Sequence, residues 1–433
     1  MIEELNKIAK ELKPQMIDFC RSLIKTPSLS GEESDVADLY LEEMKKLGYD
    51  EVFRDAWGNV IGVINGTESG PSILFNGHLD HVDTGDHSEW GGYDPYGAVI
   101  DRNEMYNQDM DGYEETEVIH GRAAADVKGG GATMVYAGAA LVALRRAGFP
   151  VKGRLIFTMT VLEEPAEMLG MIKLMDETFP NHGLSADVCI SCEATSLKLY
   201  LGHRGRVEMQ VTISGVTSHA SAPWLGVNAV NKATKFIDRV ERVVDAEKRI
   251  DPDLGASSIA LTIIDCTPGS MCIVPDRCTI TYDRRLTPEE SAEDCLAQIR
   301  RIIDDIASED ETFRAEVKIA AVKRTSYTGM SEVIQNKKEG WKLDREHPVA
   351  QACADALQSV GQEPKFGYWD FGTDLPVTAV RHGIPSIGYS PMQEYYCHRP
   401  VDKVRIDYME KALLGYVAIF NRLGDLNKKD FAL

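Results

Sequence analysis

The sequence predicts an α/β protein with two domains, a larger one built on a sheet and a small α/β sandwich inserted into it. A chain of 433 residues is too long for one ordinary core. Strand-like and helix-like segments alternate along the first half, which is typical of a sheet with helices on both faces. From about Arg206 the pattern changes to half-exposed strands. We therefore expect residues 1–206 and 323–433 to form the larger domain and residues 207–322 to form the insert.

The first part of the larger domain should begin with helices and continue with buried strands. Residues 1–27 carry apolar positions at helical spacing, and Ser30 is the expected N-cap of a second helix. Apolar and β-branched runs predict strands at 59–64, 73–75, 154–162 and 188–191, and an Ala-rich run predicts a helix at 129–147. Sheets of this class bind ligands at the carboxyl ends of their strands, so polar residues there are candidate site residues.

The insert should contain two strand–helix–strand units. Its first strand, 207–214, alternates apolar and polar residues, as a half-exposed strand does. The other expected elements are helices at 228–244 and 288–307 and strands at 258–264, 278–283 and 313–322. A helix at 348–360 and a strand at 385–389 then resume the larger domain.

Composition excludes several classes of function. The net charge of −21 argues against nucleic acid or an anionic membrane surface as a partner. No apolar run approaches the ~20 residues that span a bilayer, and the acidic, amphipathic start lacks the pattern of a signal peptide. Nine cysteines, an odd number without framework spacing, are typical of reduced thiols. We therefore expect a cytoplasmic protein.

Five potential metal ligands occur along the chain, and each stands in a sequence context that explains its placement. Two histidines and three carboxylates suit two zinc ions with one bridging carboxylate. Two dications and three carboxylates leave one net positive charge, which favours a bound hydroxide and therefore a hydrolase. The five candidates are His78, Asp126, Glu164, Glu193 and His398.

Each candidate also has an ordinary structural explanation. His78 ends an apolar run, and Asp80 two residues later can hold its second ring nitrogen; a lone histidine is more often a core or surface residue. Asp126 stands in a small-residue turn, where an aspartate can simply cap a helix. Glu163 and Glu164 end a strand before a proline, where both can face one cleft or both can be solvated. It is the complete set that favours the metal site.

The five motifs, in this order and at these intervals, resemble one known family over nearly the whole chain. The chain is similar to the acetylornithine deacetylase, succinyl-diaminopimelate desuccinylase and carboxypeptidase G family of di-zinc, aminoacylase-like metallopeptidases. Gly205-Arg206 and the segments 283–287 and 381–385 most resemble the branch of selenium-metabolism-linked hydrolases.

The resemblance implies a zinc-exopeptidase-like, mixed-sheet catalytic domain with an inserted ferredoxin-like α/β sandwich that acts as a dimerisation (lid) domain. It also implies a division of labour at the metal site. His78 and Glu193 would bind one zinc, Glu164 and His398 would bind the other, and Asp126 would bridge them.

The resemblance assigns further roles around these ligands. Glu163 would be the general base, and Asp80 would support His78. A cis peptide bond would follow Asp126. In the insert, His219 would reach the active site of a partner subunit and stabilise an oxyanion, which implies a homodimer; a surface histidine in a turn is the alternative. Arg285 would hold a substrate carboxylate, although a structural ion pair fits nearly as well.

Two departures from the family pattern limit what the resemblance carries over. Cys272 stands where relatives often have an asparagine that contacts substrate, so the substrate class cannot be inherited. Cys397 and Asp402 replace the usual alanine before the last histidine and the usual glutamate after it. Cys397 could bind zinc or be oxidised, but we expect it to fill space as an apolar side chain.

Two other motifs are not expected to bind metals. Residues 107–112 resemble half of a calcium loop, but Val118 occupies the position of the closing glutamate. Cys189 and Cys192 have redox spacing, but they lie on an apolar strand, so we interpret them as buried thiols.

The sequence therefore predicts a di-zinc metallohydrolase that cleaves the amide bond of a small N-acyl amino acid, a dipeptide or a related amide. Manganese or cobalt could replace zinc, because carboxylate-rich sites accept them. One alternative is a metal-dependent binding or regulatory protein that keeps the fold without turnover; the intact Glu163 argues against it. Another is a mono-metal hydrolase, which would bind one metal ion per chain.

Overall fold

The computed structural model describes residues 1–107 and 112–433. Its α-helices are α1 (Ile2–Lys25), α2 (Ser34–Leu47), α3 (Gly129–Arg146), α4 (Leu169–Lys173), α5 (Phe179–Asn181), α6 (Ala229–Ala246), α7 (Ala292–Glu309), α8 (Pro348–Ser359) and α9 (Ile406–Leu423). Its strands are β1 (Glu51–Arg54), β2 (Val60–Asn65), β3 (Glu68–His78), β4 (Ile100–Asn107), β5 (Gly112–His120), β6 (Lys152–Thr160), β7 (Val188–Ser191), β8 (Leu199–His203), β9 (Gly205–Ser214), β10 (Ile250–Asp251), β11 (Gly255–Ala256), β12 (Ser258–Thr267), β13 (Arg277–Leu286), β14 (Arg314–Ile319), β15 (Ala321–Thr325), β16 (Ser331–Gln335), β17 (Lys337–Lys338), β18 (Trp341–Lys342), β19 (Phe366–Trp369), β20 (Ser386–Gly388) and β21 (Lys403–Arg405).

A nine-stranded mixed sheet organises the larger part of the molecule. Its order is β1-β2-β6-β3-β7-β20-β8-β18, with β19 also paired to β8. The four central strands β6, β3, β7 and β20 run parallel to one another. β7 and β20 are buried throughout, and β3 and β6 are buried toward their carboxyl ends, as parallel strands covered on both faces are expected to be. Helices α1 and α9 pack against α3, which lies against β3 and β6.

This topology brings the ends of the central strands to one edge of the sheet. β3 ends at His78, β6 ends three residues before Glu163, and β7 ends two residues before Glu193. Because parallel strands present their carboxyl ends at the same edge, side chains from distant parts of the sequence meet there. The same edge receives the turn that precedes α3, which contains Asp126.

The insert is a four-stranded antiparallel sheet in the order β12-β13-β9-β14, with α6 and α7 packed against it. Along β9, buried and half-buried residues alternate, which is the pattern of a sheet with one covered face. The short strand β17 adds to β9 beside the point where the chain returns from the insert. The chain enters the insert through β9 and leaves it alongside the same strand.

Two hydrophobic cores correspond to these two sheets. One core collects residues from Leu5 to Phe431, and the other lies between Val207 and Ile319. Among the described residues, one helical stretch, Ala124–Arg146, is long and apolar enough to cross a membrane, and 94% of its most apolar window is buried inside the protein. A core helix has these properties, and this stretch packs between α1 and α9.

The predicted fold class is confirmed, and most elements lie within a few residues of their predicted ends. The expected capping of α2 by Ser30 is wrong: α2 begins at Ser34, its N-cap residue is Glu33, and Ser30 Oγ instead donates to Asp80 Oδ2 at 2.7 Å. The predicted helix at 288–307 begins only at Ala292, after a capping box formed by Ser291. β9 crosses the expected boundary at 206, so the domain bounds stay a prediction.

Candidate metal centre

The five predicted ligands form two groups that share Asp126. In the first group His78 Nε2 lies 3.1 Å from Asp126 Oδ1 and 3.5 Å from Glu193 Oε1. In the second group His398 Nε2 lies 3.0 Å from Asp126 Oδ2 and 3.1 Å from Glu164 Oε2. Each group offers three ligand atoms within 4.8 Å of one another. The two oxygens of the Asp126 carboxylate therefore face two different histidines.

Burial and close approach shift the pKa values of these groups in opposite directions. Burial would raise the pKa of Asp126, but contacts with His398 and His78 hold it below its usual range. Burial raises the pKa of Glu193 well above its usual value, and burial together with the Asp126 charge raises that of Glu164 to about 7. Hydrogen bonds to Asp126 and Glu164 raise the pKa of His398 to about 11.

The donor set fits divalent cations. Within the part of the chain that the structure describes, no lysine or arginine pairs with Asp126, Glu164 or Glu193. Glu164 Oε1 is buried there without a hydrogen-bond partner, a state that costs free energy unless a ligand satisfies the oxygen. Carboxylate and imidazole groups clustered in this way are typical ligands of zinc, manganese and cobalt.

Asp80 supports the centre in a different way from the expected one. His78 Nδ1 lies 3.0 Å from the backbone carbonyl oxygen of Asp80, whereas Asp80 Oδ1 is 3.7 Å away. The Asp80 carboxylate instead accepts the backbone N–H groups of Glu163 and Glu164, both at 3.1 Å, and the Ser30 hydroxyl. Asp80 thus fixes His78 through its main chain and fixes the Glu163–Glu164 turn through its side chain.

Asp402 performs the corresponding task for the turn that carries Asp126. Its buried carboxylate accepts the N–H groups of Ala123 and Ala125 at 2.7 and 2.8 Å. The peptide bond between Asp126 and Val127 is cis, as the resemblance implies. Cys397 donates from Sγ to the Ala125 carbonyl at 3.3 Å, and burial raises the pKa of this thiol well above its usual value. These contacts favour the neutral, space-filling interpretation of Cys397.

Glu163 has a partner that the sequence did not reveal. Lys338 Nζ lies 3.2 Å from Glu163 Oε1, and both side chains are buried. Lys338 occupies the two-residue strand β17, where no periodic pattern or motif distinguishes it from the lysines around it.

A cavity of about 610 Å³ lies in front of the two groups. Its lining combines cationic, acidic and aromatic side chains. The lining residues are Asp126, Glu163, Glu164, Ala166, Glu193, Arg206, Arg285, Lys338, Asp370, Phe371, Gly372, Glu394, Tyr395, Cys397, His398 and Arg399.

Arg206 and Arg285, two of the three arginines that line this cavity, differ in how many of their guanidinium nitrogens are engaged. Arg206 binds Asp283, Asn336 and Glu208 through its three guanidinium nitrogens. Arg285 binds Asp283 Oδ1 through Nε at 2.7 Å. Its two Nη atoms have no hydrogen-bond partner within residues 1–107 and 112–433. Arg285 is therefore both part of an ion pair and free to bind a ligand at its tip.

His219 and Cys272 lie outside this cavity, next to each other in the insert. The segment 218–220 pairs with 272–274 through bonds from Ala220 N to the Cys272 carbonyl and from Val274 N to the Ser218 carbonyl, both 2.9 Å long. Both side chains are exposed. The structure therefore does not place Cys272, the expected substrate contact, or His219 beside the metal ligands of the same chain.

Cys189 and Cys192 are buried free thiols, as expected. His81, close in sequence to His78, accepts the Ser28 N–H at 2.9 Å and belongs to neither ligand group. Most of the calcium-like segment 107–112 lies outside the described residues, since 108–111 are not covered.

Comparisons with known proteins agree with this geometry. A family model of the M20 peptidase dimerisation domain matches residues 201–311. The uncharacterised protein YgeY of Escherichia coli strain K12 is 31% identical over 413 residues, which is 95% of each chain. Succinyl-diaminopimelate desuccinylase of Magnetococcus marinus is 28% identical over 296 residues, covering 66% of this chain and 72% of that protein.

A solved structure shares the fold. The YXEP protein of Bacillus subtilis, described as a dinuclear metal-binding peptidase of the M20 family, superposes with a TM-score of 0.65 at 15% identity. The match covers 95% of this chain and 98% of that one. Together with the near full-length similarity to YgeY, these comparisons show that the chain belongs to the M20 family of metal-dependent hydrolases.

Proposed function

We propose that this protein is a two-metal amidohydrolase that cleaves the amide bond of a small N-acyl amino acid, a dipeptide or a related amide. The single observation that supports this most strongly is the pair of ligand groups joined by Asp126. A binding protein with one structural metal would need four ligands around one point and no shared carboxylate. The M20 dinuclear peptidase of Bacillus subtilis has the same fold.

The residues divide the work as follows. His78, Glu193 and Asp126 would hold one ion, and Glu164, His398 and Asp126 would hold the other. When bound, two such ions polarise the amide carbonyl and activate water at neutral pH. Zinc is the ion we propose, with manganese or cobalt as substitutes.

Glu163 is the proposed general base. It lines the cavity beside Glu164 and belongs to neither ligand group, and its Oε2 has no hydrogen-bond partner among the described residues, so this oxygen can exchange a proton. It takes a proton from the attacking water and delivers it to the leaving amine nitrogen. The Asp80 carboxylate, which binds the N–H groups of Glu163 and Glu164, keeps base and ligand in a fixed relation.

Arg285 is the proposed site for a substrate carboxylate. The two unpartnered Nη atoms can bind both oxygens of a carboxylate in a bidentate pair. Arg206 is a weaker candidate, because its guanidinium nitrogens already bind Asp283, Glu208 and Asn336. If Arg285 binds a substrate carboxylate, substrates in which the amide nitrogen belongs to an amino acid are favoured.

We also propose a homodimer through the insert, residues 207–322, which acts as the lid domain. Ser221 donates to His219 Nδ1 through both N–H and Oγ, so the ring proton is on Nε2, which can donate a hydrogen bond. Five exposed apolar side chains lie in the segments around His219, namely Val216, Trp224, Leu225, Met271 and Ile273. The exposed edge strand β12 offers a second surface for pairing.

Turnover and metal content test this function together. Metal-free protein should be loaded with zinc, manganese or cobalt and assayed against a panel of N-acyl amino acids and dipeptides, with amide-capped versions as controls. We expect hydrolysis of carboxylate-bearing members and two ions per chain by elemental analysis. Two ions without turnover of any panel member would favour the binding protein, and one ion with turnover would favour a mono-metal hydrolase.

A further inference from the structure

The buried contact between Lys338 and Glu163 has no role in the function proposed above. Lys338 retains 3% of its exposure and Glu163 retains 8%, and both line the cavity in front of the two ligand groups. We propose that Lys338 is a positioning residue, which holds one oxygen of the Glu163 carboxylate so that the other oxygen is available for proton transfer. This inference rests on the proposed function in one respect, the role of Glu163 as base.

The Glu163 side chain is anchored separately from its main chain. The main chain is held by Asp80, which accepts the N–H groups of Glu163 and Glu164, and by Glu33, which accepts the Leu162 N–H at 3.2 Å. These bonds leave the carboxylate free to rotate. In the described part of the chain, Lys338 is the residue whose side chain hydrogen-bonds it, through Oε1 alone. Oε2 is left without a protein partner there.

Lys338 lies on β17, where the chain returns from the insert to the larger domain. In the pairing of β17 with β9, Lys338 lies opposite Arg206. Residues opposite each other on antiparallel strands project to the same face, and both side chains line the cavity. The guanidinium group of Arg206 binds Asp283, Glu208 and Asn336. Of these two cations, Lys338 is therefore the one that contacts Glu163.

A glycine provides the space for the lysine stem. A Cβ atom added at Gly372 would lie 2.8 Å from Lys338 Cδ, which is closer than real Cβ atoms approach. The stem therefore lies directly on the Gly372 backbone, and its ammonium end is bound to Glu163. Any side chain at 372 would displace the stem while leaving the charge of Lys338 intact.

Breaking this pair should move the carboxylate. A buried ion pair that loses one member leaves the other charge without compensation in a medium of low dielectric constant. In Lys338→Met the Glu163 carboxylate is expected to rotate toward solvent or toward the metal ions, because nothing else in the described residues holds it. Lys338→Arg retains a cation at a similar reach and should restore part of the native position.

Four variants test the proposal, with two independent readouts. Lys338→Met and Gly372→Ala remove the contact in different ways, Lys338→Arg is the conservative variant, and Lys337→Met is the matched control. Lys337 is adjacent in sequence but pairs with Glu293 and Glu339 at 3.5 and 3.9 Å instead. The first readout is the position of the Glu163 carboxylate in crystals of the zinc-loaded protein. The second is kcat and KM on an N-acyl amino acid that the wild type hydrolyses, with metal content measured alongside.

We expect Glu163 to leave its position in Lys338→Met and Gly372→Ala and to stay in Lys337→Met. Loss of a residue that orients a site group typically costs 10–100-fold, so kcat should fall by about that factor, with KM and metal content nearly unchanged and partial recovery in Lys338→Arg. An unmoved carboxylate in both contact-removing variants overturns the proposal, as does a raised KM at unchanged kcat. A wild type without turnover contradicts only the proposed function, because the carboxylate position is still measured.

Discussion

The metal centre and the His219 loop present similar chemical groups in opposite surroundings. At the centre, His78, Asp126 and Glu193 are buried, Glu164 is half-buried and His398 is exposed, and the contacts of Asp126 cross nearly the whole sequence, from His78 to His398. In the insert, His219 is exposed, and its hydrogen bonds stay within its own loop and the neighbouring segment 272–274. The first region is assembled within one chain, whereas we propose that the second completes the site of another chain.

The two regions hold their functional side chains in place in different ways. Carboxylates are buried together only at a cost, which cations or protonated histidines offset. Bound cations would therefore stabilise the centre. The exposed imidazole of His219 has no carboxylate partner among the described residues, and Ser221 of its own loop holds its Nδ1.

Asp126→Asn should cause the largest loss. Asparagine keeps the shape of the side chain but removes the charge shared by both ligand groups. Bound metal ions contribute several kcal/mol to the transition state, and each 1.4 kcal/mol is about tenfold, so kcat/KM should fall by at least ~10⁴-fold. Elemental analysis should show fewer than two ions per chain. Retention of both ions with wild-type turnover would remove Asp126 from the centre.

Glu163→Gln should separate the base from the ligands. Because Glu163 belongs to neither ligand group, both ions should stay bound. General acid–base catalysis contributes ~10²–10⁴-fold, and kcat should fall by about 10³-fold within that range, with little change in KM. The matched variant Glu164→Gln, one residue away, should instead lose metal. If Glu163→Gln lost metal and Glu164→Gln did not, the two roles would have to be exchanged.

His219→Ala tests the second region. Removing one oxyanion donor typically costs ~10²–10³-fold in kcat, and we expect a loss near the lower limit with metal content unchanged. His382→Ala is the control, since His382 binds Asp176 far from the insert. Turnover equal to wild type would leave His219 as a surface residue.

Mixing two inactive chains then asks where His219 acts. If it acts in trans, a dimer of one His219→Ala chain and one Asp126→Asn chain has one complete site, so an equal mixture should recover about a quarter of wild-type activity for random pairing. A mixture no more active than its components would show that His219 serves its own chain.

The smallest effect concerns the pH dependence of metal binding. In the metal-free protein the pKa of His398 is raised to about 11 by Asp126 and Glu164, so the ring is protonated at pH 7. A metal ligand must be the neutral ring, and binding therefore releases a proton. Metal affinity should rise as pH increases, by about tenfold per pH unit for each proton released. Calorimetry in buffers of different ionisation enthalpy counts these protons; heats that do not depend on the buffer would contradict the assignment.

The sequence predicted the metal ligands better than the residues that hold them in place. Strongly patterned segments such as 188–191 appear as predicted, and parallel strands ending at one edge explain why the ligand candidates meet. The supports depend on contacts that no local pattern reveals. Serine is a common helix-cap residue, but Ser30 binds Asp80, which is fifty residues away in sequence. Lys338 lies in a two-residue strand, which is too short to show a pattern.

The insert shows the same limit. Its strands and helices follow from alternating and helical patterns. The role of Arg285 does not, because an arginine in an ion pair and an arginine in a ligand site look the same in a sequence. Only the structure distinguishes the engaged nitrogens of Arg206 from the free tip of Arg285. Cys272 likewise lies outside the cavity lining, which its position in a family motif did not indicate.

The most direct test is the anomalous scattering of crystals loaded with zinc. We predict two peaks per chain, about 3.5–4 Å apart as in other two-metal sites. One should be bonded by His78 and Glu193, the other by Glu164 and His398, and Asp126 should touch both. A single peak, or a pair of peaks with His398 or Glu193 beyond bonding distance, would contradict the account.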